Sequence, residues 1–292
     1  MQLSAVAQRF ESTYGIKVQV LRLESTALPS RVMTEERSGR AGIDVVSDGG
    51  IQMDLLKRQG FFTQYRPPEN AALLPGTFDS EGYWSSVIIN TETIAFNPVR
   101  LKIAGIKPPR TWDDLAGKEW RGQFGLFVGS YEWYQALRRY YGQDRADGLM
   151  RAYAANKPHL LSSKQIGIQF IEAGDILAAP NMYGYDGLLE KRKGAPIDFV
   201  NPTPTFIELY PVAIMKDAPH PSAARLMVRW WLSLPTQEWQ KEALGRLSPR
   251  KDAKNDPELL NGKVRYVVNN PTDSIYYNDD ARAFNAIFDI PS

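Results

Sequence analysis

The sequence contains no cysteine and only two histidines in 292 residues. Without thiols there is no disulfide, no thiolate metal site and no cysteine nucleophile. The absence suits an oxidising compartment. His159 and His220 each adjoin proline in loop contexts and read as structural or solvated groups. The common nucleophile–base pairs are thereby nearly excluded. No Gly-x-Ser-x-Gly elbow, Walker loop or His-Glu-x-x-His occurs either, which leaves carboxylate-pair chemistry as the remaining catalytic route. No apolar run approaches the ~20 residues that span a bilayer. No basic run interleaves with aromatics, so a nucleic-acid surface is not indicated. Net charge is +2, with 43% apolar and 23% charged residues, the balance of an ordinary globular protein.

What is present is a β-α-β-α rhythm. Leu3, Val6, Ala7, Phe10 and Tyr14 share one helical face, and Gly15 stops that helix. Ile16, Val18 and Val20 alternate as a strand. A helix with Pro29 in its first turn ends at Gly39, a short strand at 43–46 ends in Ser47-Asp48-Gly49-Gly50, and a helix over 53–59 closes at Gly60. This order predicts a largely parallel sheet flanked by helices. Two β-rich runs, 84–96 and 206–215, exceed the usual strand of five or six residues, and a strand that long can leave one lobe and enter another. The length suits two domains. The expected division is 1–89 with 210–250 as lobe one and 90–209 as lobe two. The tail 251–292 has fewer apolar positions, ends without a clear element and packs on the lobes.

The stretch 181–189, Asn-Met-Tyr-Gly-Tyr-Asp-Gly-Leu-Leu, follows the apolar run 176–179 and leads into a helix-like run stopped by Gly194. Ligands of open α/β sheets bind at such strand ends. Tyr183, Tyr185 and Asp186 are therefore candidate ligand contacts. Ser25, Thr26, Asp48 and Gly49 occupy two further strand-to-helix turns. Ser130, Tyr131, Glu132 and Trp133 occupy a third, with Ser130 a plausible N-cap beside free helix N–H groups. The alternatives are ordinary ones: caps for Ser25 and Thr26, a turn former for Asp48, core packing for Trp133 and Tyr134. Trp230 and Trp231 lie on an apolar helix and read as core.

Several motifs in order resemble the extracellular solute-binding proteins of ABC importers, in the two-lobed type II class that includes ferric-ion binders. They are Phe10-Glu11-Ser12-Thr13-Tyr14-Gly15-Ile16-Lys17-Val18, Ile43-Asp44-Val45-Val46, Tyr83-Trp84 with Ile94-Ala95-Phe96-Asn97, Thr111-Trp112-Asp113-Asp114-Leu115 with Trp120-Arg121-Gly122, and Ala218-Pro219-His220-Pro221. The resemblance implies a type II periplasmic-binding fold of two α/β lobes, each with a mostly parallel sheet, joined by crossing strands. It implies a monomeric periplasmic or secreted carrier without catalysis or resident cofactor, which hands a small-molecule or metal-ion ligand to a membrane permease. Hinges are expected near 89–91 and 209–211. The family opens with a strand where this sequence opens in helix, and Met1-Gln2-Leu3-Ser4 lacks the features of a leader, which is expected to lie outside it.

Two ligand classes stay open. The first is a small organic or phosphorylated anion, held by helix N-termini with tyrosines on its body. The second is ferric iron as cargo. Ferric binders of this class use two adjacent tyrosines, and hard oxygen donors suit that cation. Here the place holds Tyr183-Gly184-Tyr185, so both phenols reach one metal only if Gly184 keeps the backbone extended or turned. Asp48 or Glu132 could add a carboxylate.

Overall fold

The computed structural model describes residues 3–23, 27–38, 42–129, 131–260 and 264–291. In chain order the elements begin with α1 (Leu3–Tyr14), α2 (Leu28–Arg37), β1 (Val45–Ser47) and α3 (Gly50–Arg58). The long β2 (Ser85–Phe96) follows, then α4 (Pro98–Ala104), β3 (Gly125–Phe127), α5 (Tyr131–Tyr141), α6 (Gln143–Ala155), β4 (His159–Leu161) and α7 (Lys164–Ala173). Next come β5 (Ala178–Tyr183), α8 (Gly184–Arg192), β6 (Asp198–Val200) and the second long strand, β7 (Thr205–Ile214). The chain closes with α9 (Pro221–Leu232), α10 (Leu234–Leu244), β8 (Tyr266–Val268) and α11 (Tyr277–Ile287). It divides into two compact units, Met1–Ile89 with Leu209–Asn255 and Asn90–Glu208 with Asp256–Ser292. The chain passes from one to the other within β2 and returns within β7.

The first unit packs α1 and α9 around Val6, Phe10, Val212, Ile214, Val228 and Trp231. The i, i+4 pair Val6 and Phe10 faces this core, and Phe10 meets Trp230 edge-on at 5.3 Å. Both tryptophans of α9 are core residues. Gln237 and Gln240 of α10 each donate from Nε2 to the buried Val87 carbonyl at 3.0 Å, satisfying a strand acceptor with side chains.

The second unit has a core of Trp112, Trp120, Phe124, Trp133, Tyr134 and Tyr153 packed with α5 and α6. Thr111 and Asp114 form a capping box on the turn that starts at Trp112, and Trp112 Nε1 donates to the Pro204 carbonyl at 2.9 Å. A smaller core under β5 and α7 holds Ile168, Ile171, Ala179 and Met182.

Three expectations change. Residues 16–23 have no regular secondary structure and belong to no ladder among the described residues, with Val20 43% and Leu21 57% exposed. The Val18 N–H is taken by the Glu11 carboxylate at 2.6 Å, a local partner in place of a neighbouring strand. Second, the sheets are mixed. The pairs β1–β7, β2–β5 and β2–β6 run antiparallel, while β3–β4 and β7–β8 run parallel. All three antiparallel pairs involve a long crossing strand, β2 or β7, while β7 also takes β8 in parallel. Third, the tail has clear elements. Phe284 and Phe288 of the last helical stretch join the core of the second unit, and Asp280 pairs with Arg138 of α5.

Candidate functional site

Four consecutive residues of β2, Asn90, Thr91, Glu92 and Thr93, are polar and at most 2% exposed. A strand buried along its whole length normally reads as continuous apolar residues, so these side chains need partners. Thr93 finds one by donating from Oγ1 to the Met182 carbonyl at 3.0 Å. That bond ties β2 to β5, where Glu92 stands opposite Tyr183. The ladder slips between Thr93 and Ala95, and Asn181 in the slipped segment has φ of 58°. Asn is among the few residues that tolerate this conformation.

β5 ends at Tyr183, which becomes the extended N-cap residue of α8. Tyr185 is already in the first helical turn, yet the two rings stack with centroids 5.6 Å apart and an interplanar angle of 19°. Placing one tyrosine before the helix start and the other after it brings an i, i+2 pair onto one side. Gly184 between them is required by space. A Cβ there would meet Thr91 Oγ1 at 2.6 Å, Leu259 Cδ2 at 2.7 Å and Thr93 Cγ2 at 2.9 Å. Gly184→Ala is therefore expected to destabilise by about 1–3 kcal/mol through overpacking. A lowered urea midpoint with unchanged m-value is the readout; an unchanged midpoint would mean that β2 and α8 have room to part.

Lys164 is the first residue of α7, behind the Ser163 N-cap whose Oγ accepts from the Ile166 N–H at 3.2 Å. Its ammonium is buried. Nζ lies 3.9 Å from Glu92 Oε1, 3.7 Å from Glu208 Oε2 and 3.6 Å from the centre of the Tyr183 ring. Burial pushes the Glu92 carboxyl up to about 8; Lys164 opposes the rise, and the charges of Glu208 and Glu132 add to it. One ammonium thus serves two buried carboxylates, with stacked phenols beside it.

The structure draws Glu132, Tyr183 and Tyr185 toward this cluster, with Asp186 half-buried in the same helical turn as Tyr185. Tyr131 and Trp133 go elsewhere. The Tyr131 hydroxyl donates to Asn285 at 3.1 Å and its ring packs on Tyr277 and Phe284. Trp133 is fully buried edge-on against Trp112, as the core alternative had it. Asp48 and Gly49 belong to the first unit, where Gly49 caps α3 and donates its N–H to Asp48 Oδ1 at 2.8 Å, a local turn contact. Ser25, Thr26 and Ser130 lie outside the described residues. His220 is exposed beside Asp44 at 3.1 Å. Glu92, Lys164 and Glu208 escaped the sequence reading, whereas Asn181 opens the stretch 181–189 singled out there. The signal for two of them was a carboxylate in the middle of each long β-rich run.

Among the described residues no three His, Asp or Glu side chains are grouped as a metal site, and no helix is long and apolar enough to cross a membrane. Iron-bound HitA from Pseudomonas aeruginosa is similar with a TM-score of 0.85 at 20% identity, over 97% of this chain and 94% of that one. AfuA from Actinobacillus pleuropneumoniae, with exogenous fructose-6-phosphate bound, gives 0.82 at 22% identity, over 98% and 94%. The apo ferric ion-binding protein A of Pasteurella haemolytica gives 0.83 at 15%, over 98% and 93%. At these identities the likeness shows the fold, the type II periplasmic-binding α/β fold. A family model described as bacterial extracellular solute-binding protein matches residues 2–238. The chain belongs to the bacterial extracellular solute-binding protein family.

Proposed function

We propose that this protein is the solute-binding component of an ABC importer, a periplasmic or extracellular carrier that captures a small organic or phosphorylated anion beside Tyr183 and Tyr185 and delivers it to a membrane permease. The observation that carries this reading is the buried Lys164 ammonium set against the tyrosine pair at the start of α8. α7 begins at Lys164 and α8 at Gly184, and the Lys164 ammonium lies 3.6 Å from the Tyr183 ring centre. Helix N-termini and an ammonium favour negative charge, and stacked phenols offer a flat surface with polar edges. The fructose-6-phosphate bound by AfuA is a ligand of this class. The carrier performs no chemistry on its ligand in this reading, and it works as a monomer.

Ferric iron is the second reading, favoured by the phenol pair and by iron-bound HitA. The Lys164 ammonium against Tyr183 opposes it, because a trivalent cation ligated by that phenol would face a fixed positive charge in a buried place. One experiment separates the two. Metal-stripped protein is titrated with sugar phosphates by calorimetry, and with ferric citrate in the visible spectrum. Heat of binding with no tyrosinate-to-iron band is the expected result; a band lost in Tyr183→Phe would establish iron instead. Tyr183→Phe and Tyr185→Phe are each expected to weaken anion binding about tenfold, the cost of one hydrogen bond, with the melting temperature retained. Unchanged affinity in both variants would remove this pair from the site.

A further inference from the structure

The polar groups behind Tyr183 share an unusual state. Thr91, Glu92, Lys164, Asn181 and Glu208 are each 7% exposed or less. Thr91 Oγ1, both carboxylate oxygens of Glu92, Lys164 Nζ, both amide atoms of Asn181 and Glu208 Oε2 have no hydrogen-bond partner among the described residues. The ammonium stands 3.7–3.9 Å from its carboxylates, within ion-pair range but beyond hydrogen-bonding distance. Buried donors and acceptors cost about 1–3 kcal/mol each when unmatched, so a folded protein keeps such a set for something that matches it. Thr91 adjoins the start of α8 and Lys164 touches the Tyr183 ring, which puts the set next to the stacked phenols.

The chemistry of the set selects its complement. The set mixes an ammonium with carboxyl groups, so neither a bare anion nor a bare cation matches all of it. A hydroxyl is neutral and can at once accept from Lys164 and donate to Glu92 or Glu208. We propose that Glu92, Lys164 and Glu208, with Asn181 beside them, are specificity-determining residues that take the hydroxyl-bearing part of the solute, and that the ligand is a polyhydroxylated anion. This rests on the reading that solute sits at Tyr183 and Tyr185, and it goes beyond that reading by naming the part of the ligand that is chosen.

A site built to bond hydroxyls rejects an analogue lacking them far more strongly than an apolar pocket rejects an added hydroxyl. The test compares glucose 6-phosphate with hexyl phosphate, equal in carbon number and anionic group, by calorimetry at pH 7. The wild type is expected to prefer glucose 6-phosphate by 100-fold or more. Glu208→Gln and Glu92→Gln, which keep side-chain shape, are expected to reduce that preference at least tenfold. Thermal melts establish that each variant is folded; if either is not, Asn181→Ala supplies the same ratio. A preference held at the wild-type value in every folded variant overturns the inference while leaving anion binding in place. A wild type that binds both phosphates equally overturns it as well. Binding of neither phosphate overturns this inference and the anion reading together.

Discussion

Lys164→Met is expected to lower stability by about 3 kcal/mol at pH 7, read as a shift of the urea midpoint. Among the described residues the ammonium is the single cation within 4 Å of Glu92 and Glu208, and all three groups are buried. Removing one member of a buried charge group leaves the others without compensation and costs about 3–5 kcal/mol. Protonation sets the ceiling here. A stranded carboxylate can shed its charge by taking a proton, which holds the loss to the lower end of that range. Glu92, with its carboxyl pushed up to about 8, already holds a proton at pH 7, so the exposed debt is that of Glu208. Two consequences separate this account from loss of packing by the lysine stem. Adding Glu208→Gln to Lys164→Met should recover most of the loss, because the remaining group is then neutral. Glu92→Gln alone should raise stability at pH 7 by a few kcal/mol, because the amide is spared the proton that Glu92 takes up on folding. A double variant as unstable as Lys164→Met would assign the loss to the stem, and a loss below about 1 kcal/mol would show that water screens the cluster.

The elements that the sequence displays best are those whose physics is local. The i, i+3/4 face of Val6, Ala7 and Phe10 reappears as the buried face of α1, and Thr111 caps its turn as its residue type suggests. The run from Trp84 to Phe96 contains β2, every residue of which is buried. What the sequence could not display depends on distant partners. Residues 16–23 alternate like a strand, but alternation specifies a face and not a neighbour, and here the Val18 N–H bonds Glu11 instead. The strand directions depended on which partner each long strand found. The tail helix was legible in principle, since Phe284 and Phe288 stand four apart, but Asp279 and Asp280 ahead of them and the proline-bounded segment before it disguised the pattern. At the site, the tyrosine pair stood out by composition. Glu92 and Lys164 did not, because they lie 72 residues apart and nothing local marks their approach. A glutamate inside a buried strand was the one clue, because such a residue is almost never fully buried unpaired.

The charge that Glu92 gives up also fixes how stability responds to pH. Its carboxyl ordinarily titrates at 4.5 and does so at about 8 in the folded protein, raised first by burial, with Lys164 of α7 opposing and Glu208 of β7 and Glu132 of α5 adding to the rise. The folded state therefore binds this proton more tightly than the unfolded chain. Its contribution is fully present below pH 4.5, shrinks between 4.5 and 8, and is gone above 8. A shift of that size corresponds to a loss on the order of a few kcal/mol across the window. Other carboxyls act in the opposite sense at acid pH. The Asp147 carboxyl lies below its ordinary value through its bonds to Arg138 and Tyr134 against the cost of burial, and Asp114 is lowered by the capping contacts of Arg110 and Thr111. Those groups lose their contribution as pH falls through their folded values, below the window of Glu92. Stability of the wild type should thus peak near pH 5 and decline steadily toward pH 8. Urea titrations at half-unit steps measure this. In Glu92→Gln the alkaline decline should flatten, with the acid limb unchanged, since the amide does not titrate and leaves Asp147 and Asp114 in place. Parallel curves for the two proteins would mean that Glu92 is ionised in the fold, and that Lys164 neutralises it rather than Glu208.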